Sequence, residues 1–259
     1  MKFLNKIAIV TGASSGIGAC VAQQFAFEGA KVVLVGRNTS NLKEVQKSLP
    51  SAAESLILSA DIRDGDTAIV NRTIERFGHI DILVNSAGIL KSGTIESTKV
   101  EDFDEVLDVN LRSIFKLTQR VIPHLEKTKG NIVNVSSITG YRSFPNALSY
   151  CVSKSALDQF TRCTALDLAP KGIRVNCVSP GTVTTNIHQR SGMNEQQYAA
   201  YIEKGKVTHA LGRVGHVSEI ANAILFLAGD SASFVTGCIL LVDGGKHNLV
   251  SPVDDPSIM

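Results

Sequence analysis

The stretch IAIVTGASSGIGAC, residues 7–20, decides the fold. An almost wholly apolar, β-branched run ends at Thr11 and passes directly into a loop holding Gly12, Gly16 and Gly18. Apolar residues then recur at helical spacing over 16–28. A buried strand, a glycine turn and a helix in immediate succession make the first half of a β-α-β unit.

The same unit repeats along the chain. Short apolar runs predict strands at Ile7–Thr11, Lys31–Val35, Ser55–Ala60, Asp81–Asn85, Asn131–Ser136, Gly172–Val178 and Cys238–Val242. Helical spacing occupies 16–28, 39–49, 64–77, 100–127, 149–169 and 217–228, with Leu157, Phe160, Thr164 and Leu168 marking one face of the fifth. Alternation of this kind predicts an α/β fold: one Rossmann-like domain over 1–247, a doubly wound parallel sheet of seven strands with helices on both faces. The long polar stretch 182–212 follows a strand end and reads as a substrate lid, with a surface helical excursion as the alternative. Residues 248–259 read as a C-terminal tail that either reaches a neighbouring subunit or is disordered.

Composition narrows the function. The chain has 259 residues, 44% hydrophobic and 19% charged, with net charge +2. Its basic residues are scattered, which argues against nucleic acid. No apolar run reaches the ~18 residues of a membrane helix. The five cysteines include no CxxC pair, and no cleavable apolar segment precedes the glycine loop, so a reducing, cytoplasmic location is expected. The six histidines lack metal-ligand spacing and there is no GxSxG elbow, so neither a zinc site nor a serine hydrolase is expected.

Glycine lacks Cβ, so the backbone N–H groups of TGASSGIG (Gly12, Ala13, Ser14, Ser15, Gly16, Ile17, Gly18) can approach a phosphate at the positive end of the following helix. A bare GxxxGxG also fits an ordinary tight turn; placed after the first strand of this pattern it points to a dinucleotide. The second predicted strand is followed by Gly36 and Arg37, where an NAD-selective site carries an acid for the ribose hydroxyls. A guanidinium grips a 2′-phosphate that a carboxylate would repel. Arg37, helped by Ser14 and Asn38, therefore favours NADP(H) over NAD(H).

These residues lead to a family. TGASSGIG, NSAG at 85–88, Asn110, NVSS at 134–137, YCVSK at 150–154 and SPGTVTT at 179–185 together resemble the compact short-chain dehydrogenase/reductases. The resemblance covers roughly 1–245, and the closing segment is most similar to 3-oxoacyl-carrier-protein reductases and related carbonyl reductases. Ser86 departs from the asparagine frequent there. The resemblance implies a tetrad of Asn110, Ser137, Tyr150 and Lys154. It also implies cofactor contacts from Asn85, Ala87, Gly88, Asp61 and Ile62 on the adenine side, and from Pro180, Gly181, Val183 and Thr185 around the nicotinamide. In that family the lysine holds the nicotinamide ribose, the asparagine positions a proton-carrying water, and the assembly is usually a homotetramer.

Tyr150 and Lys154 are four residues apart and share a helical face. A ketone taking hydride needs a proton donor, and donors work best with a pKa near the working pH. The sequence reading therefore asks the Tyr150 phenol to come down by about 3 units under the charges of Lys154 and of the oxidised cofactor's nicotinamide. Ser137 donates to the developing oxyanion, while Ser136, pointing oppositely along a strand, is structural. Cys151 is read as a packed residue. His188 either lines the substrate pocket or is a solvated loop histidine. The expected activity is NADP(H)-dependent interconversion of a carbonyl and a secondary alcohol. The alternatives are a reductase of 3-oxoacyl thioesters specifically, or a dinucleotide-binding sensor without turnover.

Overall fold

The computed structural model describes residues 1–249. The elements in chain order begin with β1 (Ile7–Thr11), α1 (Gly16–Phe27), β2 (Lys31–Gly36), α2 (Thr39–Lys47), β3 (Ser55–Ser59), α3 (Asp66–Phe77) and β4 (Ile82–Asn85). Next come α4 (Val100–Leu107), a π-turn (Asp108–Arg112), α5 (Ser113–Thr128), β5 (Asn131–Val135), the one-turn α6 (Ile138–Tyr141) and α7 (Leu148–Leu168). The chain continues with β6 (Arg174–Pro180), α8 (Ile187–Arg190), α9 (Glu195–Thr208), α10 (Val217–Ala228) and β7 (Ile239–Val242).

All seven strands lie in one parallel sheet in the order β3-β2-β1-β4-β5-β6-β7. Alternation along each strand divides the core in two. Ala8, Val10, Val32 and Leu34 face a layer built with α1, α2 and α10, whereas Ile7, Ile9, Val33 and Val35 face a layer with α3, α5 and α7. The fold is the Rossmann-like, doubly wound sheet that the sequence pattern predicts.

One element differs from the sequence reading. The stretch 100–127, expected as one helix, is α4 and α5 separated by the π-turn, which buries Asn110 completely. The polar stretch 182–212 contains α9, opened by a capping box in which Asn194 Oδ1 accepts from Gln197 N at 2.9 Å and Gln197 Oε1 accepts from Asn194 N at 3.0 Å. That signal was present in the sequence as N-E-Q-Q but was masked by the polarity of the helix. Phe160, on the face of α7 marked by the sequence spacing, is only partly covered and packs edge-on against Phe115 at 6.3 Å. A short turn, Lys246–Asn248, leads into the expected tail, of which 250–259 lie outside the described residues.

Strand order reverses between β1 and β4, and at such a switch point the loops at the carboxyl ends of the strands part to form a crevice. Every strand of this sheet delivers residues to that crevice.

Candidate active site

The crevice is a cavity of ≈ 910 Å³. One end is walled by the glycine loop (Gly12, Ser14 to Gly18), Arg37, Asp61 and Ile62. The other is walled by Ser137, Tyr150, Lys154, Thr182, His188 and Tyr201. Gly12 has φ +67°, and a Cβ there would lie 2.9 Å from Ala87 Cα and N, so only glycine lets β1 turn this closely past the β4 loop. Thr11 Oγ1 locks the two loops together by accepting from Ser86 N at 3.0 Å and Ala87 N at 3.1 Å. No acidic side chain occupies the first turn of α1, so its positive end faces the cavity uncompensated. This cradle suits a dinucleotide pyrophosphate.

At the far end the α7 register sets Tyr150 and Lys154 one above the other. Lys154 Nζ lies 5.5 Å from the Tyr150 ring centroid and donates to Val135 O, at the end of β5, at 2.8 Å. Ser137, the next residue but one along the chain, lies beside the Tyr150 phenol, close enough to favour its ionised form, and caps α6 by accepting from Thr139 N at 3.2 Å. Its neighbour Ser136 instead donates to Lys154 O at 3.3 Å, so the two serines divide into one that meets Tyr150 and one that braces α7. Asn110 stands behind the wall. Its amide donates to Ile89 O at 2.9 Å and Ser153 Oγ at 3.0 Å, and its oxygen accepts from Ile89 N at 2.9 Å. A Cβ on Gly88 would come within 3.3 Å of Asn110 Oδ1 and 3.7 Å of Lys154 Nζ, so the absence of a side chain there keeps these two groups close.

The electrostatics differ from the sequence reading in one respect. Burial pushes the Tyr150 phenol above its ordinary value; the Ser137 hydrogen bond opposes this and the Tyr201 phenol adds to it. Lys154 does not reverse the shift. Burial brings its own ammonium down to about 8, with Cys177 and Asp158 pulling the other way, and its hydrogen bond goes to Val135 O. In the protein alone, desolvation outweighs the neighbouring charge.

The chain carries these features over nearly its whole length in a known pattern. A family model described as Enoyl-(Acyl carrier protein) reductase, of the short-chain alcohol dehydrogenase type, matches residues 12–247. The chain is 37% identical to 3-oxoacyl-(acyl-carrier-protein) reductase FabG of Thermotoga maritima over 249 residues, 95% of this chain and 99% of the relative. It is 36% identical to the L-fucose dehydrogenase of Mus musculus over 250 residues, 95% of this chain and 90% of the relative. A crystal structure of a short-chain dehydrogenase/reductase of unknown function from Caenorhabditis elegans, solved with cofactor, superimposes with TM-score 0.91 at 39% identity, covering 96% of this chain and 98% of that one.

The protein belongs to the short-chain dehydrogenase/reductase family. As such it is an oxidoreductase of a family that acts on alcohol and carbonyl groups and binds a nicotinamide dinucleotide.

In this short-chain dehydrogenase/reductase not every residue singled out from sequence reaches the cavity. Asn38 lies outside the wall and caps α2, its Oδ1 accepting from Asn41 N at 3.0 Å. Asn85 is buried within the sheet, donating to Asn134 Oδ1 at 2.9 Å. Pro180, Gly181, Val183, Thr185, Ala87 and Gly88 do line it. Arg37 is exposed at the adenosine end, its Nη1 3.9 Å from Asp61 Oδ2, while Arg63 takes that carboxylate at 2.8 Å. Cys151 stays off the cavity wall. His188 faces the cavity, its ring tilted against that of Tyr201 with centroids 4.4 Å apart, and burial with the nearby Lys246 holds it below its ordinary value.

Sequence reasoning missed Tyr201, Arg190 and Lys246. Arg190, on α8, reaches back to the glycine loop and donates to Ser15 Oγ at 3.1 Å. Lys246, two residues before the expected tail, was given no role, yet its ammonium donates to Thr182 Oγ1 at 2.9 Å inside the cavity wall. Neither residue carries a sequence signal, because each arrives at the site from an element joined to it only by tertiary folding.

Proposed function

We propose that the protein is an NADP(H)-dependent reductase that converts a carbonyl compound to a secondary alcohol, with Tyr150 as the proton donor. The observation that carries this reading is the convergence of Ser137, Tyr150 and Lys154 on the wall of the cavity whose opposite end is the glycine cradle. Ser14 to Gly18 and the start of α1 would hold the pyrophosphate, and Arg37 would pair with a 2′-phosphate. The dinucleotide, when bound, supplies the hydride.

The remaining steps belong to side chains. Burial keeps Tyr150 protonated, which is the form a reductase needs before each turnover. Ser137, beside the phenol on the cavity wall, would donate to the same substrate oxygen, so that charge forming there meets two donors. Lys154 brings a cation beside the phenol that steadies the phenolate left after transfer. Asn110 fixes the Ile89 loop against α7 and so holds the constellation in register. The segment 182–212, with α8 and α9, would act as a lid over bound substrate.

Similarity to a 3-oxoacyl reductase adds thioesters to the substrate classes worth screening. The exposed Phe115 and Leu166 on α5 and α7 support a homotetramer, which light scattering measures directly. All five cysteines are free thiols, in keeping with a cytoplasmic enzyme. The deciding experiment follows nicotinamide absorbance with NADPH and NADH against ketones, oxo acids, oxo esters and thioesters, using wild type and Tyr150→Phe. Turnover with NADPH that falls at least about 100-fold in Tyr150→Phe, with cofactor binding retained, is expected. Binding without turnover by either protein would instead identify a sensor.

A further inference from the structure

Charge is distributed unevenly along the cavity. Among the described residues its one acidic wall residue is Asp61, beside Arg37. Beyond Tyr150 the wall presents Lys246 and Lys204 and, among the described residues, no carboxylate.

Lys246 is held there by a braced segment. Asp243 Oδ2 accepts from His247 N at 2.7 Å and from His247 Nδ1 at 2.8 Å, and its Oδ1 accepts from Gly245 N at 3.1 Å. Arg142, leaving α6, donates to the carbonyls of Lys246, His247 and Leu249 at 3.3, 3.0 and 2.6 Å. The Lys246 side chain then crosses 5.6 Å from the Phe144 ring centroid and ends on Thr182 Oγ1. Among the described residues no carboxylate lies within ion-pair distance of it; Asp243 is committed to His247. Burial pushes this ammonium below its ordinary value, Asp243 opposes the shift, and Lys204 reinforces it.

A partly buried cation without a counter-ion is costly, and a bound anion offsets that cost. The location is also close to the chemistry. Thr182 Oγ1 joins Lys246 to the Tyr201 hydroxyl at 3.2 Å, and Tyr201 is near enough to Tyr150 for its charge to perturb that phenol. The groups joined at this point can donate: an ammonium and two hydroxyls that can turn toward a ligand. A single ammonium flanked by hydroxyls suits a monoanion.

We infer that the substrate is a small oxo or hydroxy carboxylic acid, its carboxylate bound by Lys246 with Thr182 and Tyr201 while its carbonyl meets Tyr150 and Ser137. This rests on the oxidoreductase reading above and adds to it the charge of the substrate.

The test uses the full chain with its cofactor and two probe pairs, 3-oxobutanoate and 4-oxopentanoate against their methyl esters. At least one acid should exceed its ester about tenfold in kcat/KM, through KM, as a charge-assisted contact implies. Lys246→Met should collapse that acid-to-ester ratio toward one, and Lys246→Arg should largely restore it. Esters turned over as well as acids by the wild type would overturn the inference while leaving the reductase reading standing. So would an acid preference that survives in Lys246→Met. Failure of acids, esters and simple ketones alike would sink the reductase reading itself. Calorimetry on the cofactor-loaded wild type with butanoate and butanamide reads the same recognition without turnover: butanoate should bind at least about tenfold more tightly, and equal binding would overturn the proposal.

Discussion

The Asn110 side-chain amide donates to Ser153 Oγ at 3.0 Å, and Ser153 donates in turn to Tyr150 O at 2.8 Å, so the π-turn is fastened to the helix that presents the proton donor. Asn110→Ala strands Ile89 N and O in a half-buried setting and should destabilise the protein by about 2 kcal/mol, with a fall in kcat. Ser153→Ala removes a smaller part of the connection and should cost about 1 kcal/mol. Denaturant unfolding of both variants checks the order; equal losses would mean that the Ile89 contacts contribute nothing.

Lys154 predicts a pH limb. Burial lowers its ammonium from 10.5 to about 8, so its charged form is present below that value and is lost as pH rises through it. If the cation steadies the phenolate, kcat/KM for reduction bends downward above about pH 8, since that ratio reports the free enzyme. Lys154→Arg keeps its charge throughout and should remove the bend while lowering the rate. A wild-type profile flat from about pH 7 to about pH 9 would show that the charge of residue 154 is not required.

Arg37 is free to turn toward a phosphate because Arg63 holds Asp61 more closely. Arg37→Asp should weaken NADPH binding by about 10- to 100-fold and NADH binding far less, the scale of a charge-assisted contact replaced by a repulsive one. Equal weakening for both cofactors, in fluorescence titrations of bound nicotinamide, would remove Arg37 from cofactor selection.

Gly12→Ala introduces a left-handed strain of about 1–2 kcal/mol and a contact of 2.9 Å with the Ala87 backbone. Dinucleotide binding should be lost and Tm reduced, since the β1 and β4 loops must separate. A variant that binds NADPH normally would show that the cradle tolerates such a shift.

The fold was legible because the parallel sheet is buried on both faces, which writes each strand as an apolar run such as Ile7–Val10 or Val32–Val35. The glycine loop, Ser137, Tyr150 and Lys154 were legible because their spacing is local. The π-turn was not, since one extra residue within a continuous helical pattern leaves 100–127 looking uninterrupted. Asn38 and Asn85 misled for a different reason: a short amide serves a helix cap or a neighbouring strand as readily as a ligand. In the protein alone the Tyr150 phenol is raised where the sequence reading asks for a lowered one with cofactor bound, because adjacency of two residues says nothing of how dry their surroundings are. Lys246 was invisible because it is brought to Thr182, 64 residues away, by the packing of the last strand.

The central place of β1 has a consequence for synthesis. The first strand made pairs with both β2 and β4, and Ile7 N reaches Asp81 Oδ2 at 2.9 Å across 74 residues. While the chain is emerging from the ribosome, β3, β2 and β1 can assemble with the Ala8–Val10 edge bare, waiting for Ile82–Val84. Such an edge recruits other nascent chains, so refolding yield should fall steeply with protein concentration, and pulse-labelled amides of β1–β3 should be protected before those of β4–β7. Simultaneous protection of all seven strands would show that the halves are never apart.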